Sequence, residues 1–561
     1  MKKEKLKKLI YLFSVVLSIC AWYSFKVQNL ILSYNDARSH LNIARRVVDG
    51  LNPGIAQLGS VWLPLPHILE LLTIWNNFFY RTGLSGSIIS MLSFVGTIYF
   101  LVKIGELLRF DFKGIIITVL VFAFNPNVLY MQSIPMTELL LIYTQIGSIY
   151  FFIKWVKKDR ILSLIFLGIY TFLSVLTRYD GWFTFFYISF AIILITIIKK
   201  YKVQPEKIKK SVSTILSPEI YLKIDKIFLE FFKKLYTYKI DINFNLKDYL
   251  KNTLYKRVRA ESNFILYSVW GFFAIFLWLL WNWLIFYDPL FFLNGAFSAK
   301  SQQEILYSEG RLLTKGSIDL AAITYVVAVV KNSGLLVFLF GFLGIIKIFF
   351  KRRSITFILS FLALLSPLVF NIFSLYLGHS VIHLPSIPPY TWFNIRYGLI
   401  FIPTIALGCG ILVSKKEFLF ILILAITTMQ YTYMYIKKDI VTIEDATKGA
   451  SGYYLDDIGT WANKNANDGL ILVAASSHDS FIFVSGLSLN HFITEGTGRY
   501  WKKSLIDPTI YATYIVMHDG DLVDKALKHN FIFAQNYHLV YKGNFANIYK
   551  INRPITINIP K

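Results

Sequence analysis

Long apolar stretches alternate with short polar connections along most of the chain. A basic start, Met1-Lys2-Lys3-Glu4-Lys5, leads into an apolar stretch that ends near Tyr23 without a small-residue cleavage pattern after it. Further apolar stretches lie at about 86–108, 114–132, 137–156, 161–177, 182–198, 262–286, 333–350, 355–377, 395–414 and 417–436. A helix needs about 20 apolar residues to cross a bilayer. The pattern therefore predicts about 11 transmembrane helices, the first of them an uncleaved anchor.

Basic residues cluster beside every second apolar stretch. With a cytoplasmic N-terminus, the cytoplasmic connections are Lys103–Lys113, Lys154–Arg160, the basic loop 199–261, Lys351-Arg352-Arg353 and Lys415-Lys416. Cytoplasmic loops of membrane proteins carry an excess of Lys and Arg. The distribution predicts a multi-pass protein of the plasma membrane, with the loop near 33–85 and the chain after residue 437 on the extracytoplasmic side.

The hydropathy pattern changes after the last apolar stretch. It predicts a polar helix at 444–464, strands at 469–474 and 512–518, a helix at 521–528 and a hairpin at 537–551. The predicted architecture is a mainly α polytopic membrane domain over residues 1–436. An extracytoplasmic α/β domain follows over residues 437–561.

Composition narrows the function classes. The 561 residues are 55% hydrophobic and 16% charged, against roughly 25% charged in soluble domains, which excludes a soluble enzyme. The net charge of +25 comes from basic residues beside apolar stretches, so the anionic partner is membrane lipid rather than nucleic acid. Cys20 and Cys409 both lie in apolar stretches, and the sequence contains no Gly-rich phosphate loop.

Polar residues concentrate in the predicted outer connections. An ionisable group inside the membrane costs about 2.5–3.5 kcal/mol, so such groups mark functional positions. The candidate carboxylates are Asp36, Glu138 and Asp180. The candidate substrate-binding residues are Arg38, His40, Arg45, Arg178, Asp288, Lys300, Gln302, His379 and Arg396. Together they predict a polar cleft at the outer leaflet for an anionic, lipid-linked substrate, although Asp36 also suits a helix N-cap.

These residues lie in short motifs that resemble a known family. The motifs are Asn35-Asp36-Ala37-Arg38-Ser39-His40, Asn125-Pro126, Met136-Thr137-Glu138, Thr177-Arg178-Tyr179-Asp180-Gly181, Asp288-Pro289-Leu290 and Asn394-Ile395-Arg396-Tyr397. They resemble the membrane glycosyltransferases of the GT-C fold, especially the dolichyl-phosphate-mannose protein mannosyltransferases and prokaryotic transferases that use polyprenyl-phosphate sugars. Protein mannosyltransferases carry an Asp-Glu pair in the first loop, whereas Asn35-Asp36 offers one acid. The resemblance therefore assigns the second carboxylate to Glu138 or Asp180.

The resemblance implies a glycosyl transfer. A sugar, a hexose such as mannose, moves from a polyprenyl-phosphate carrier to the hydroxyl of an acceptor glycan, lipid or protein at the outer face. Asp36 is expected to accept the hydroxyl proton, and Arg178 and Arg396 to hold the departing phosphate, with Lys300 and His379 behind them. One base with direct displacement implies inversion, although a retaining route stays open. No cofactor is required; a divalent metal shared by the three carboxylates stays open.

Two other function classes fit parts of the sequence. A transporter or flippase of a lipid-linked saccharide would place polar groups inside spans or break helices near the midplane, and Lys103 and Lys331-Asn332 are its candidates. A receptor would use the C-terminal domain for ligand sensing, with Asp36 as a helix cap. The string Ser476-Ser477-His478-Asp479 does not have the spacing of a hydrolase triad; this domain is expected to position the acceptor.

Overall fold

The computed structural model describes residues 2–199, 246–295, 298–351, 354–452 and 456–553. These residues are mostly helical, with a small C-terminal sheet. The predicted fold class, a mainly α polytopic membrane protein, is confirmed. Most of the predicted basic loop, residues 200–245, lies outside the described residues.

Eight helices in the described part of the chain are long and apolar enough to cross a membrane. They are Glu4–Val27, Leu84–Leu107, Glu138–Lys158, Tyr179–Ile198, Lys256–Phe286, Ile355–Tyr376, Ile395–Val413 and Glu417–Thr447. Two shorter apolar helices, Phe112–Ala123 and Ile161–Val175, cover two further predicted spans. A pair of helices, Ile318–Ser333 and Leu335–Phe350, is bent by 111° and counts as one more span if taken together.

Several of these segments consist of more than one element. The helix of the first span is Lys2–Val27, and the helix of the fifth span is Leu246–Phe286. The last span contains two helices, Glu417–Lys437 and Val441–Thr447. The second helix of the bent pair is Leu335–Lys351. The others subdivide into Ile355–Leu362, 3₁₀ Ala363–Leu365 and Ser366–Tyr376, and into 3₁₀ Ile395–Phe401 and Ile402–Val413. Pro367 and Pro403 each lie in the first turn of the continuing helix, where their missing N–H is tolerated.

Two features of the bundle differ from the predicted spans. The stretch 114–132 forms two helices, Phe112–Ala123 and Pro126–Met131, because proline disfavours helical geometry at the preceding residue. The Asn125 side chain accepts a hydrogen bond from the Val128 N–H at 3.1 Å and caps the second helix. Helix Ile318–Ser333 has no counterpart among the predicted spans, since the polar residues at its end interrupt the hydropathy pattern.

The first loop folds into short helices around one longer one. Asn35–Val48, which we call the site helix, is followed by 3₁₀ Ile55–Leu58, Leu65–Glu70 and Asn77–Arg81. Loop 287–317 carries Phe291–Asn294 and Ala299–Ser308. On the site helix, Leu41 and Ala44 pack in a small core with Ile74, Tyr80 and Phe483. Because Phe483 belongs to the C-terminal region, this core joins the first loop to the end of the chain.

The C-terminal region has a five-stranded mixed sheet in the order β2-β1-β3-β5-β4. Its strands are β1 Ile471–Leu472, β2 Phe492–Ile493, β3 Tyr514–Met517, β4 Tyr537–Lys542 and β5 Asn547–Ile551. Its helices are Asp456–Asn465, Ala475–Val484, 3₁₀ Leu489–His491, 3₁₀ Glu495–Thr497, Arg499–Ile506, 3₁₀ Pro508–Ile510, Leu522–Leu527 and Phe531–Asn536. β1 pairs in parallel with β2 and β3, and β3 pairs antiparallel with β5, Ile515 opposite Tyr549. β2 has no counterpart among the predicted strands, whereas the equally short β1 lies within the predicted strand 469–474.

The predicted polar helix 444–464 is wrong. Val441–Thr447 and Asp456–Asn465 are separate helices, and residues 448–452 form a turn between them. Gly449 packs so close to Trp392 that an added Cβ would lie 2.6 Å from the Trp392 carbonyl oxygen. The Ala450 N–H donates to that same oxygen at 2.8 Å. The turn is therefore held against the membrane bundle.

The C-terminal region docks directly on the first loop. Helix Ala475–Val484, which we call the docking helix, contacts the site helix. The Arg46 guanidinium lies 3.0 Å from the Asp479 carboxylate, and the Asn42 amide donates to the Asp479 carbonyl at 2.7 Å. The first loop and the C-terminal region therefore occupy the same end of the bundle.

Candidate active site

Five charged side chains from four separate segments meet at that end of the bundle. The residues are Asp36, Glu138, Arg178, Asp180 and Arg396. They form one continuous series of ion pairs: Asp36 to Arg396, Arg396 to Glu138, Glu138 to Arg178 and Arg178 to Asp180. The series contains three carboxylates and two guanidinium groups.

Glu138 occupies the centre of the series. Its Oε1 accepts a hydrogen bond from Arg396 Nε at 3.0 Å and lies 3.4 Å from Arg178 Nη1. Its side chain is 0% exposed, and its Oε2 has no hydrogen-bond partner among the described residues. Glu138 begins helix Glu138–Lys158, where the helix dipole favours negative charge. A buried carboxylate in this position fixes two guanidinium groups at once.

Arg178 lies just before helix Tyr179–Ile198 and pairs with Asp180 in its first turn. The Nε–Oδ2 distance is 3.2 Å, and the Tyr397 ring centroid lies 4.8 Å from the Arg178 guanidinium carbon. Burial opposes the charge of Arg178, yet the carboxylates of Asp180 and Glu138 raise its pKa above the ordinary value. Asp180 is 4% exposed and also faces the Asn371 amide at 3.5 Å.

Arg396 comes from the 3₁₀ helix Ile395–Phe401 and is 3% exposed. Its guanidinium bridges Asp36 and Glu138, and Nη1 donates to Ser451 Oγ at 3.4 Å. The Tyr34 ring centroid lies 5.0 Å from the guanidinium carbon, within cation–π range. Arg396 therefore connects the site helix, the bundle and the turn at 448–452.

Asp36 is the accessible carboxylate of the series, with 38% of its side chain exposed. It lies in the first turn of the site helix, whose N-cap residue is Tyr34. The interpretation of Asp36 as the N-cap is therefore wrong. In this position Asp36 Oδ2 pairs with the Arg396 guanidinium, and the Asp36 carboxylate remains accessible to a ligand.

Ion pairs organise these acids. Among the residues that the structure describes, no three His, Cys, Asp or Glu side chains converge in a metal-binding group. Each carboxylate of the series faces a guanidinium. The geometry suits the binding of an anion that exchanges with a carboxylate for the arginines.

Solved structures resemble this architecture. ArnT from Cupriavidus metallidurans bound to undecaprenyl phosphate aligns with a TM-score of 0.51 at 11% identity, covering 96% of this chain and 97% of that one. ArnT from the same organism in the apo state gives a TM-score of 0.52 at 10% identity over the same shares of both chains. The chain has the GT-C fold. The archaeal oligosaccharyltransferase AglB from Archaeoglobus fulgidus, in complex with an inhibitory peptide and a dolichol-phosphate, gives a TM-score of 0.42 at 13% identity, over 99% of this chain and 75% of that one.

Sequence comparison adds no closer relationship. No protein-family model matches the chain, and no curated protein matches it. The likeness to ArnT concerns the GT-C fold, because identity near 10% carries no residue-level correspondence.

Two other predicted residues on the site helix, Arg38 and Arg45, bond protein groups around the first loop. Arg38 donates to the Leu32 carbonyl at 3.0 Å and to Ser480 Oγ at 2.8 Å. Arg45 donates to the carbonyls of Ile74 and Trp75 and to Asn77 Oδ1, at 2.7–2.8 Å, and pairs with Asp49 at 3.2 Å. Both arginines use their donors on protein groups within this GT-C fold.

His40 forms a buried pair with His67. Their Nδ1 and Nε2 atoms are 2.8 Å apart, and Trp62 packs on His40 with centroids 4.6 Å apart. Burial lowers the pKa of His40 to about 3, helped by the charges of Arg396 and Arg178. Burial also places the pKa of His67 well below its ordinary value. On the same short helix as His67, burial raises the pKa of Glu70 to about 8.

The remaining predicted residues lie on a neighbouring, exposed part of the surface. Asp288 caps a turn by accepting the Leu290 N–H at 2.8 Å, and Lys300, Gln302 and His379 are exposed. Phe292 stacks on Tyr179 with centroids 5.6 Å apart. This contact places the loop after residue 287 beside the Arg178–Asp180 turn, although no ion pair among the described residues joins it to the series.

Sequence reasoning missed the side chains that enclose the arginines. Tyr34 directly precedes the Asn35–His40 motif and Tyr397 ends the Asn394–Tyr397 motif, so their aromatic character was the available signal. Ser451 gave no such signal, because it falls in a segment predicted as helix. Its carbonyl accepts the Asn35 N–H at 3.1 Å, so the turn at 448–452 forms part of the wall of the site.

Proposed function

We propose that the protein is a glycosyltransferase that moves a sugar from a polyprenyl-phosphate carrier to an acceptor hydroxyl. One observation carries the proposal: an accessible carboxylate, Asp36, lies beside the Arg396 guanidinium, which the buried Glu138 also holds. The arrangement offers a base and an anion site together. That ArnT, which has the same fold, was solved with undecaprenyl phosphate supports a lipid phosphate as the carrier.

The membrane fold suits this donor. A polyprenyl chain gains about 0.8 kcal/mol per buried CH₂, so its phosphate remains at the level of the headgroups. In our proposal the site end of the bundle faces the extracytoplasmic side of a plasma membrane. The N-terminus is then cytoplasmic, and residues 437–561 form the domain that positions an acceptor glycan, lipid or protein.

Arg396 and Arg178 are proposed to bind the donor phosphate. Arginine forms two parallel hydrogen bonds with a phosphate, and both guanidinium groups are charged and oriented. We assign Glu138 and Asp180, at 0% and 4% exposure, to holding these arginines and not to contact with the sugar. A bound phosphate would displace the Asp36 carboxylate from Arg396 and free it for the acceptor.

Asp36 is proposed as the general base. The acceptor oxygen attacks the anomeric carbon, its proton passes to Asp36, and the carbon–oxygen bond to the phosphate breaks with its electron pair on the phosphate. Because the leaving group is already an anion held by arginines, the step needs no acid and no cofactor. Direct displacement inverts the anomeric carbon. A hexose such as mannose remains our expectation for the sugar.

The bent helix pair is the observation that favours a transporter or flippase, because transporters use broken helices. In this structure the carbonyl of Asn332 at the break accepts hydrogen bonds from Asn125 and Asn127, at 2.8 and 3.2 Å. Lys331 is exposed, and Lys103 pairs with Glu106 at 3.1 Å. The break is thus closed by protein groups, which favours the transferase.

The test is transfer of label from radioactive polyprenyl-phosphate hexoses by purified protein in lipid. Asp36→Asn should lower the rate by roughly 10²–10⁴-fold, the usual contribution of a general base. Asp49→Asn is the matched control at the C-cap of the same helix, since Asp49 pairs with Arg45 and Ser488 outside the series. A wild-type rate in Asp36→Asn would refute the base. Movement of intact donor across vesicles without transfer would favour the flippase.

A further inference from the structure

Buried asparagine side chains connect three segments next to Arg396. Asn125, Asn127 and Asn332 are 0% exposed and belong to the Asn125-Pro126-Asn127 motif and to the end of helix Ile318–Ser333. Buried amides are expensive unless their donors and acceptors are paired. Their pairing identifies what they hold in place.

The helix break provides the first connection. Helix Ile318–Ser333 ends at Gly334, whose φ of 82° suits glycine, and a helix end leaves its last carbonyls unpaired. The Asn332 carbonyl accepts from Asn125 Nδ2 at 2.8 Å and from Asn127 Nδ2 at 3.2 Å. The two asparagines therefore stabilise a sharply bent backbone.

The Asn332 side chain provides the second connection. Its Nδ2 donates to the carbonyls of Ala328 and Ile395, both at 2.8 Å. Ile395 directly precedes Arg396. A Cβ at Gly398 would lie 2.5 Å from the Ala328 carbonyl oxygen, so the two segments are in close contact. Asn332 consequently fixes the backbone from which Arg396 projects.

Asn127 reaches Arg396 by a second route. Its Oδ1 accepts from Thr442 N at 3.0 Å and from Thr442 Oγ1 at 2.8 Å. The Thr442 carbonyl accepts the Tyr34 hydroxyl at 2.8 Å, and the Tyr34 ring packs against the Arg396 guanidinium. One amide thus supports both the backbone and the aromatic wall around one side chain.

We propose that Asn127 and Asn332 are positioning residues that fix the guanidinium of Arg396 for the phosphate of the lipid donor. The assignment rests on the proposed function, because it takes Arg396 as a phosphate ligand. Misplacement of a binding group by about 1 Å can cost 10²-fold in rate. Neither asparagine contacts Arg396 itself, so each acts through the backbone or through Tyr34.

Asn332→Asp and Asn127→Leu test the assignment: the first keeps the shape and removes the Nδ2 donor to the Ile395 carbonyl, and the second keeps the size and removes the Oδ1 acceptor of Thr442. Gln132→Glu is the matched control: Gln132 is also 0% exposed, and its amide bonds Ser18 and Ser133. Undecaprenyl phosphate in detergent is the binding probe, and transfer kinetics give KM for donor and acceptor. We expect at least a tenfold rise in the Kd of undecaprenyl phosphate and in the donor KM. The acceptor KM should stay unchanged, and the control should remain within twofold of wild type.

If either variant does not fold, Tyr34→Phe tests the second route, because it keeps the ring and loses the hydroxyl bonds to the Thr442 carbonyl and to Asp445 Oδ2. We expect at least a threefold rise in the same Kd.

The outcomes separate the two proposals. If wild type transfers sugar and the variants bind undecaprenyl phosphate as tightly as the control does, the positioning role is overturned and the transferase proposal stands. If wild type binds undecaprenyl phosphate but transfers no sugar, and the variants bind it more weakly, the positioning role is supported and the transferase proposal is overturned. A wild type that neither binds nor transfers overturns both.

Discussion

Glu138→Gln removes the central charge of the ion-pair series with little change in shape. Arg396 would keep Asp36 and lose the acid 3.0 Å from its Nε, while Arg178 would keep Asp180 and lose the acid 3.4 Å from its Nη1. Breaking a buried ion pair costs about 3–5 kcal/mol, because a charge is left without compensation. Since each guanidinium retains one carboxylate, we expect the low end, about 3 kcal/mol.

This loss is large enough to measure. About 3 kcal/mol corresponds to roughly a hundredfold change in the folding equilibrium. Denaturant titration of the purified protein in mixed micelles, followed by tryptophan fluorescence, should show a lower midpoint with an unchanged slope. Transfer should fall as well, because both arginines lose their common support.

Glu444→Gln is the matched control. The Glu444 carboxylate accepts the indole N–H of Trp392 at 2.9 Å, and a glutamine oxygen can accept the same bond, so we expect little change. A Glu138→Gln variant as stable as this control would refute the inference that Glu138 holds the arginines by its charge.

Two further predictions concern the surroundings of Glu138. Arg178→Lys keeps the charge, but a lysine cannot contact Asp180, Glu138 and Thr137 together as the guanidinium does. We therefore expect the transfer rate to fall more than tenfold. A wild-type rate would show that the planar group is not needed. The contribution of the buried histidine pair is acid-sensitive: burial holds the folded pKa of His40 at about 3 while the unfolded chain protonates near 6.5, so the contribution of His40 to stability is full above about 6.5 and falls as pH drops, by about 2 kcal/mol at pH 5. Glu70, whose pKa burial raises to about 8, gives the opposite slope over this range, so the histidine slope is measured in a Glu70→Gln background. Thermal unfolding of that variant between pH 5 and 8 should show the loss of stability toward pH 5, a smaller loss when His67→Gln is added, and no such difference if the pair is charged in the folded protein.

Hydropathy predicted the helices well because each must bury about 20 apolar residues in lipid. It failed where polar groups pair inside the protein. In the sequence, Lys331-Asn332 were only candidates for a transporter, whereas Asn332 is buried at the end of helix Ile318–Ser333. The turn at 448–452 was hidden for a related reason, since close contact with Trp392 overrides the helical pattern around it.

The charged residues predicted for the site fall into two groups in the structure, because their bonding partners cannot be identified from the sequence. Five of them meet in the ion-pair series: Asp36, Glu138, Arg178, Asp180 and Arg396. Arg38 and Arg45 instead donate hydrogen bonds to backbone carbonyl groups, which their positions in the sequence do not indicate. The spacing of residues along a helix predicts which of them share a face, but it does not predict which segment of the chain packs against that face.

The ion pair between Asp36 and Arg396 joins residues 360 positions apart. At about 5–20 residues per second, a ribosome makes the second roughly 20–70 s after the first. During that interval the N-terminal acid has no arginine of this pair to neutralise it, and the turn carrying Ser451 is made later still. The ion-pair series therefore cannot close until residue 396 has been synthesised, so about the first two-thirds of the chain is made before Asp36 meets its guanidinium partner.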